Sequence, residues 1–501
     1  MRPPLTLLLL LALLAPACAD REGEAREAMT GAALEIAAAR RLEAESYDEA
    51  LAKYDEALAT VERVRAEYAD TVAGALAAKP STFVGPVTLG VLEGVILPGV
   101  RRRAEAERSP LACAALMAET VPAPALRVRA LAAVAEAAGA LDKGAIAKRV
   151  IARAQATAAG LPAGSDAQDA AWAAVADALI VTRELEAART LILAHGFEGP
   201  WQRLAVALVR TGQARRAAGM VAHAMGGEPL PRVEARATIA TALLKEGDPG
   251  TAQALMGEAE AEAKAVPPDM QPRVGLVLAR QYAQQQVLGQ ADAWLAQVDG
   301  LRTATREELD GLVEAYRAGG GEARLLAHVH RALREIEAGS RALPVDEVPW
   351  LTNLAYVQAK LGEAEPGAFA LSQARARADA IAPDDAPPAV AAEVRTLLDV
   401  SERLLVLGHV QPGLGALEDA LARRERLPLP ERVAIVTRGA SLAARAGRSE
   451  RATTLVGLLS EQDQIAIALA QAARAAHGGF TAQPRALHDL VARFDGLEDM
   501  R

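Results

Sequence analysis

A set of small residues that returns at a nearly constant interval constrains this chain more than any other feature. Ala252 follows Ala217 by 35 residues, Ala291 follows Ala252 by 39, and Ala452 follows Gly413 by 39. Within each interval the apolar residues recur at three- and four-residue steps, the period of a helix face. A turn residue splits each interval into two such stretches: Asp142, Arg183, Gly212, Gly247, Gln286, Gly320, Gly362, Gly408 and Gly447 stand at these positions. An interval of this length with two helices is a solenoid repeat, because one helix pair cannot bury its own apolar face and must stack on the next. With 501 residues, 51% of them hydrophobic, the chain is too long for one ordinary core and suits a stacked array. Ala, Leu, Arg and Glu, all strong helix formers, dominate the composition. Strand-like alternation is nearly absent, so no sheet is expected.

Two stretches give the repeat a recognisable form. Tyr47, Ala50, Tyr54 and Ala57 place large and small residues at steps of three and four. Trp201, Leu204, Ala205, Leu208, Gly212, Ala217, Val221, Ala224 and Pro229 follow in the order large, apolar, small, apolar, turn, small, large, small and terminal proline. This order resembles the tetratricopeptide repeat, the first stretch matching its second half and the other a complete unit. Further units with fewer matches surround Leu131, Trp172, Ile239, Leu278, Leu351, Leu397 and Val436. Those after Gly300 lack the aromatic signature and also suit generic hairpins of the HEAT kind. Either way the resemblance implies an all-α fold, an α-solenoid of antiparallel helix pairs.

The N-terminus carries an address. Arg2 precedes an apolar run from Leu5 to Leu14, too short to span a bilayer and followed by small residues, the layout of a secretory signal. Ala15-Pro16-Ala17-Cys18 resembles a bacterial lipobox, which implies cleavage before a lipidated Cys18. Ala15 stands where that pattern prefers Leu, and ordinary cleavage after Ala17 or Ala19 is the alternative. Ala19, not Asp, follows the cysteine, which in such proteins points to the outer membrane, facing the periplasm. The other cysteine, Cys113, reads as a buried structural thiol. The expected organisation is a signal peptide (1–17), a tether (18–32), an N-terminal hairpin (33–80), an apolar junction (81–125), the solenoid (126–460) and C-terminal capping helices (461–501). Residues 83–100 are rich in Gly, Pro and apolar side chains. Glu93, Pro86 and Pro98 argue for burial there rather than membrane insertion.

No catalytic motif appears: there is no phosphate loop, nucleophile elbow, His-Glu-x-x-His or Cys-x-x-Cys, and no cofactor or metal is expected. The formal charge of −9 is spread in short alternating intervals without the basic face that nucleic acids need. After the last unit about forty residues remain, too few for an appended catalytic domain. The expectation is therefore a cell-envelope scaffold or adaptor that binds proteins or peptides. The rivals are a solenoid-bearing enzyme of the lytic-transglycosylase type and a free periplasmic spacer. In tetratricopeptide proteins the first helix of each pair lines the concave face, and some hold peptide C-termini there. That resemblance places Gln202, Arg210, Thr241, Lys245, Thr352, Tyr356 and Lys360 on the binding face. Arg210, Lys245, Lys360 and Arg445 each stand two residues before a turn glycine. A cation there also suits the negative end of the helix dipole.

Overall fold

The computed structural model describes residues 5–494 apart from 197–198, 222–227, 299, 339–343, 379–380, 382–386 and 478. The side chains of residues 5–20, 199, 221, 298, 338 and 344–346 also lie outside the description, which leaves out Cys18, Val221 and Ala224. The chain divides into two compact units, one of residues 1–120 together with 481–501, the other of residues 121–480.

The first unit starts with α1 (Leu5–Leu42) and α2 (Tyr47–Glu67), a packed pair. Ser46 caps α2 by accepting from the Glu49 amide, and Tyr47, Ala50, Tyr54 and Ala57 are buried as the repeat pattern requires. The expected tether is instead part of α1. Ala25, Ala32, Ile36 and Ala39 are all buried, and their spacing of seven, four and three is a helix stripe hidden among charged neighbours. Arg21 adds a 2.7 Å ion pair to Asp70, and the Glu22 carboxylate accepts from the Val72 amide at 2.8 Å, at the start of α3 (Val72–Ala77).

Residues 83–100 send Val84, Val87, Leu89, Leu92, Leu97 and Val100 into the core while Phe83, Val91 and Val95 stay exposed, and they contain the strands that the sequence did not announce. Phe83–Val84 (β1) pairs antiparallel with Val87–Thr88 (β2) across Gly85, whose φ of 62° suits a residue without Cβ. The chain continues as α4 (Leu89–Val91), one π turn (Leu92–Ile96) and α5 (Leu97–Arg108). Val84, Val87, Leu89, Leu92 and Val100 join Ile36 and Tyr54 in one apolar cluster. Next comes α6 (Pro110–Thr120), which holds Cys113, a free thiol pushed up to about 12 by burial.

The unit's last helix packs on α5 and α6. Its His488 donates or accepts at Glu107, whose carboxylate also takes the Tyr47 and Asp48 amides at 2.8 and 2.9 Å and the Ser46 hydroxyl. Glu107 and His488 are both 2% exposed or less, so this buried carboxylate is satisfied on every side and sits at the positive end of α2.

The second unit is built of helix pairs: α7 (Pro124–Ala140) with α8 (Gly144–Ala159), α9 (Asp166–Val181) with α10 (Leu185–His195), and α11 (Gly199–Arg210) with α12 (Ala214–Val221). Next come α13 (Pro229–Lys245) with α14 (Pro249–Ala265), α15 (Gln271–Gln284) with α16 (Leu288–Val298), and α17 (Arg306–Ala318) with α18 (Glu322–Ala338). The series ends with α19 (Pro344–Lys360) and α20 (Ala364–Ala378), α21 (Pro387–Val406) and α22 (Val410–Ala422), α23 (Leu429–Arg445) and α24 (Ser449–Val456), and a single α25 (Gln462–Ala475). The first unit's returning helix is α26 (Pro484–Ala492).

All nine turn residues between paired helices lie at positive φ, from Asp142 at 55° to Gly362 at 105°. In each turn the next residue donates to the carbonyl five positions back, as Lys143 does to Ala138, Asp248 to Leu243 and Gly321 to Tyr316 at 2.7–2.9 Å. This is the Schellman arrangement, which satisfies the last carbonyls of the first helix and reverses the chain. The small marker residues Ala147, Ala188, Ala217, Ala252, Ala291 and Ala452 are all buried, letting paired helices approach closely.

First helices pack on first helices around the whole series, and α25 packs on both α23 and α7. The second unit is thus an α-solenoid closed into a ring, with the first helices inside and their partners outside. Capping is what residues beyond 460 were expected to do; instead α25 supplies the closing inner helix and α26 belongs to the first unit.

Candidate functional site

Ring closure changes what the inner helices can offer. Each is flanked by two inner neighbours and backed by the outer layer, so most of its surface is consumed by packing. Gln202, Thr241, Thr352 and Tyr356 are at most 4% exposed. Thr241 and Thr352 turn their hydroxyls back to the Ala237 and Val348 carbonyls, four residues earlier. Tyr356 donates to Asp310 at 2.7 Å, and Lys360 pairs with the same carboxylate at 3.2 Å. Of these positions expected on an open binding face, Thr241, Thr352 and Tyr356 are taken up by helix packing. Among the cations expected on the binding face, those at the C-terminal ends of the inner helices stay accessible: Arg210 and Lys245 are exposed, and Lys360 is half-buried.

Tyr356 and Lys360 belong to a polar seam along α17, α19, α21 and α23. Arg306 reaches past α19 to Glu402 at 3.0 Å, Arg403 donates to Asn353 at 3.0 Å, and Arg438 donates to Glu402 at 2.9 Å. Burial acts to raise Glu402, but Arg438, Arg403 and Arg306 outweigh it and hold the carboxyl below the usual range. Every charge in this seam is matched, and it reads as structural.

The opposite arc is different. A cavity of about 570 Å³ lies against α9, α11, α13 and α25, lined by Arg183, Arg203, Arg210 and Arg474 with Glu234 as the one acid. Ile180, Val181, Leu185, Val206 and Pro231 give it an apolar wall. Local sequence explains the placement of the first three arginines, and ring closure that of the fourth. Arg183 occupies the turn after α9 at a φ of 64°, where six of the nine turns carry glycine. Arg203 and Arg210 lie seven apart, two helical turns on one side of α11. Arg474 stands in the last turn of α25.

Two of the ionic groups at this cavity are matched and two cations are not. Glu234 accepts from Arg280 at 3.0 Å, and Arg203 pairs with Asp177 at 2.7 Å. Among the described residues no carboxylate is bonded to Arg183 or Arg210. Behind Arg203, burial raises Asp177 to about 6, with Arg203 opposing and Glu136 adding to the shift. Burial likewise raises Glu136, against the pull of Arg474 and Arg203. Asp177 keeps one carboxylate oxygen buried without a hydrogen-bond partner among the described residues.

Of the residues singled out from sequence, the structure brings Gln202 and Arg210 to this cavity; Lys245 and Lys360 are not among its walls. Arg183, Arg203 and Arg474 were missed. Arg183 had a legible signal, an arginine where a turn glycine is usual. Arg474 had none, because only ring closure brings α25 beside α7. Cys18 lies where side chains are not described. Among the described residues, no helix is long and apolar enough to cross a membrane, and no three His, Cys, Asp or Glu side chains are grouped to hold a metal.

No protein-family model matches the chain, and no curated protein matches it in sequence. One solved structure that aligns with it is described as "Circular tandem repeat protein with novel repeat topology and enhanced subunit contact surfaces". It shares 13% identity over 95% of this chain and 100% of that one, with a TM-score of 0.17. A likeness at that score carries no argument, so the ring rests on the packing of α25 against α7 alone.

Proposed function

We propose that the chain is an exported, lipid-anchored scaffold of the cell envelope that binds one or more proteins and does no chemistry of its own. The observation that carries this reading is the set of cations left at the C-terminal ends of the inner helices. Arg210 and Lys245 are exposed and, among the described residues, have no carboxylate bonded to them, on a ring whose other inner charges are largely matched. Exposed unmatched cations of this kind steer and select an acidic partner surface more than they add bulk affinity. The anchor is read from the apolar run before Cys18; several acyl chains, at about 0.8 kcal/mol per buried methylene, hold a folded domain at a bilayer. Cross-linking in the native envelope, with wild type beside the double variant Arg210→Glu, Lys245→Glu, tests the binding reading. Loss of a specific cross-linked protein from the variant supports it, and identical cross-links in both refute the proposed face. Cys18→Ser, followed by fractionation and mass of the N-terminus, tests the anchor separately.

A second reading, an enzyme acting on envelope glycan, is favoured by one observation, the raised carboxyl of Asp177 beside Glu136. Release of glycan fragments from isolated cell wall by wild type, abolished in Asp177→Asn, would replace the scaffold reading with this one.

A further inference from the structure

The cavity between α9, α11, α13 and α25 has a composition that a protein-binding face does not need. Its volume of about 570 Å³ falls in the size class of small-molecule sites, roughly 300 to 1,000 Å³. Four guanidinium groups meet one carboxylate along its walls. Asp177 engages Arg203 and Arg280 engages Glu234, while Arg183 and Arg210 have no bonded carboxylate among the described residues. Arg474 faces Glu136 electrostatically and still lines the cavity. The surplus is therefore more than one positive charge, which calls for a dianion. Guanidinium groups bind such oxygen anions with paired N–H donors. The remaining wall, Ile180, Val181, Leu185, Val206 and Pro231, offers nothing to a bare inorganic ion but would cover an apolar body.

We infer that this cavity binds a small phosphomonoester with an apolar body, its phosphate among Arg183, Arg210 and Arg474 and its apolar part along Val181, Leu185 and Val206. The inference goes beyond the scaffold reading and needs no protein partner. The phosphate can come from a soluble compound or from a lipid headgroup; the chemistry at the cavity is the same.

Calorimetric titration of the full chain with octyl phosphate tests it, beside inorganic phosphate, octanoate and octylammonium. Octyl phosphate should bind at least tenfold more tightly than inorganic phosphate or octanoate, and octylammonium should not compete. Arg210→Gln and Arg474→Gln should each weaken octyl phosphate about tenfold, the size of one lost charged hydrogen bond, with helix content unchanged by circular dichroism. Lys245→Gln, outside the cavity, should leave the affinity intact, although it belongs to the face proposed for a protein partner. Flotation with phosphatidylcholine vesicles, with and without phosphatidic acid, separates the sources. Retention by phosphatidic acid that is lost in Arg210→Gln assigns the phosphate to a lipid, and its absence beside binding in solution assigns it to a soluble compound. Equal affinity in wild type and both arginine variants, or equal binding of octyl phosphate and octylammonium, overturns the inference without touching the scaffold reading.

Discussion

Replacing Asp177 with asparagine should make the ring more stable at neutral pH, although it removes one partner of a 2.7 Å ion pair. The carboxyl titrates at about 6 in the folded chain against about 3.9 in an unfolded one. A raised acid contributes stability that is complete below the unfolded value and is lost as pH rises through the folded one. The difference of about two pKa units is worth about 3 kcal/mol above pH 7, at roughly 1.4 kcal/mol per unit. The side chain is 20% exposed, so a gain of about 1–3 kcal/mol is expected for Asp177→Asn at pH 8, shrinking towards zero near pH 4. Other acids run the other way: Glu402 is held low and its contribution is lost on acidification. Comparing variant with wild type at each pH cancels them. Urea unfolding followed by tryptophan fluorescence suits the measurement, because Trp172, Trp201, Trp294 and Trp350 are the chain's four tryptophans and all lie in the second unit. A difference equal at pH 4.5 and pH 8 would refute the reasoning, and a variant less stable than wild type at pH 8 would also show the pair with Arg203 to be net stabilising.

Three further outcomes follow from the packing. His488→Ala should strip the buried Glu107 of a charged hydrogen bond and weaken the first unit by about 2 kcal/mol, read as faster amide exchange at the start of α2; unchanged exchange there would make the contact incidental. Gly367→Ala should destabilise the second unit by about 1–3 kcal/mol, because the added Cβ would lie 2.6 Å from the Ala355 carbonyl oxygen, and thermal melting reports it. Gln286→Gly should stabilise by about 0.5–1 kcal/mol, since φ at this turn is 63° and the left-handed region strains a side-chain-bearing residue more than glycine's extra chain entropy costs; a lower melting temperature would show that the glutamine side chain serves the turn.

The turn positions were legible in sequence because a Schellman reversal imposes a local requirement. It needs a residue that tolerates positive φ one place past the helix, with apolar residues at fixed distances on either side. Even Asp142, Arg183 and Gln286 obey it, since the surrounding helix period locates the turn when the glycine is missing. The burial of Ala25 and Ala32 in α1 was not read, because up to residue 32 that stripe carries only these small side chains between charged ones. Closure was out of reach for a deeper reason. Whether a solenoid stays open or meets itself depends on a small rotation per repeat, accumulated over every pair. A period of 35 or 39 residues does not encode that angle; the contact sizes of alanine-rich faces do.

The candidate site inherits the same limit. An open solenoid would leave Thr241, Thr352 and Tyr356 along a concave groove, which is where the repeat register put them. Closing the ring packs inner helices on both flanks, so the middle of each helix becomes largely core and its end remains available. Arg210 survives as a surface residue for that reason, and Arg474 joins it only because α25 returns to α7. The cavity is therefore a property of the ring rather than of any one repeat. A cut that opened the ring between α25 and α7 would separate Arg474 from Arg203 and Arg210 while leaving each repeat's own turn and small-residue contacts intact.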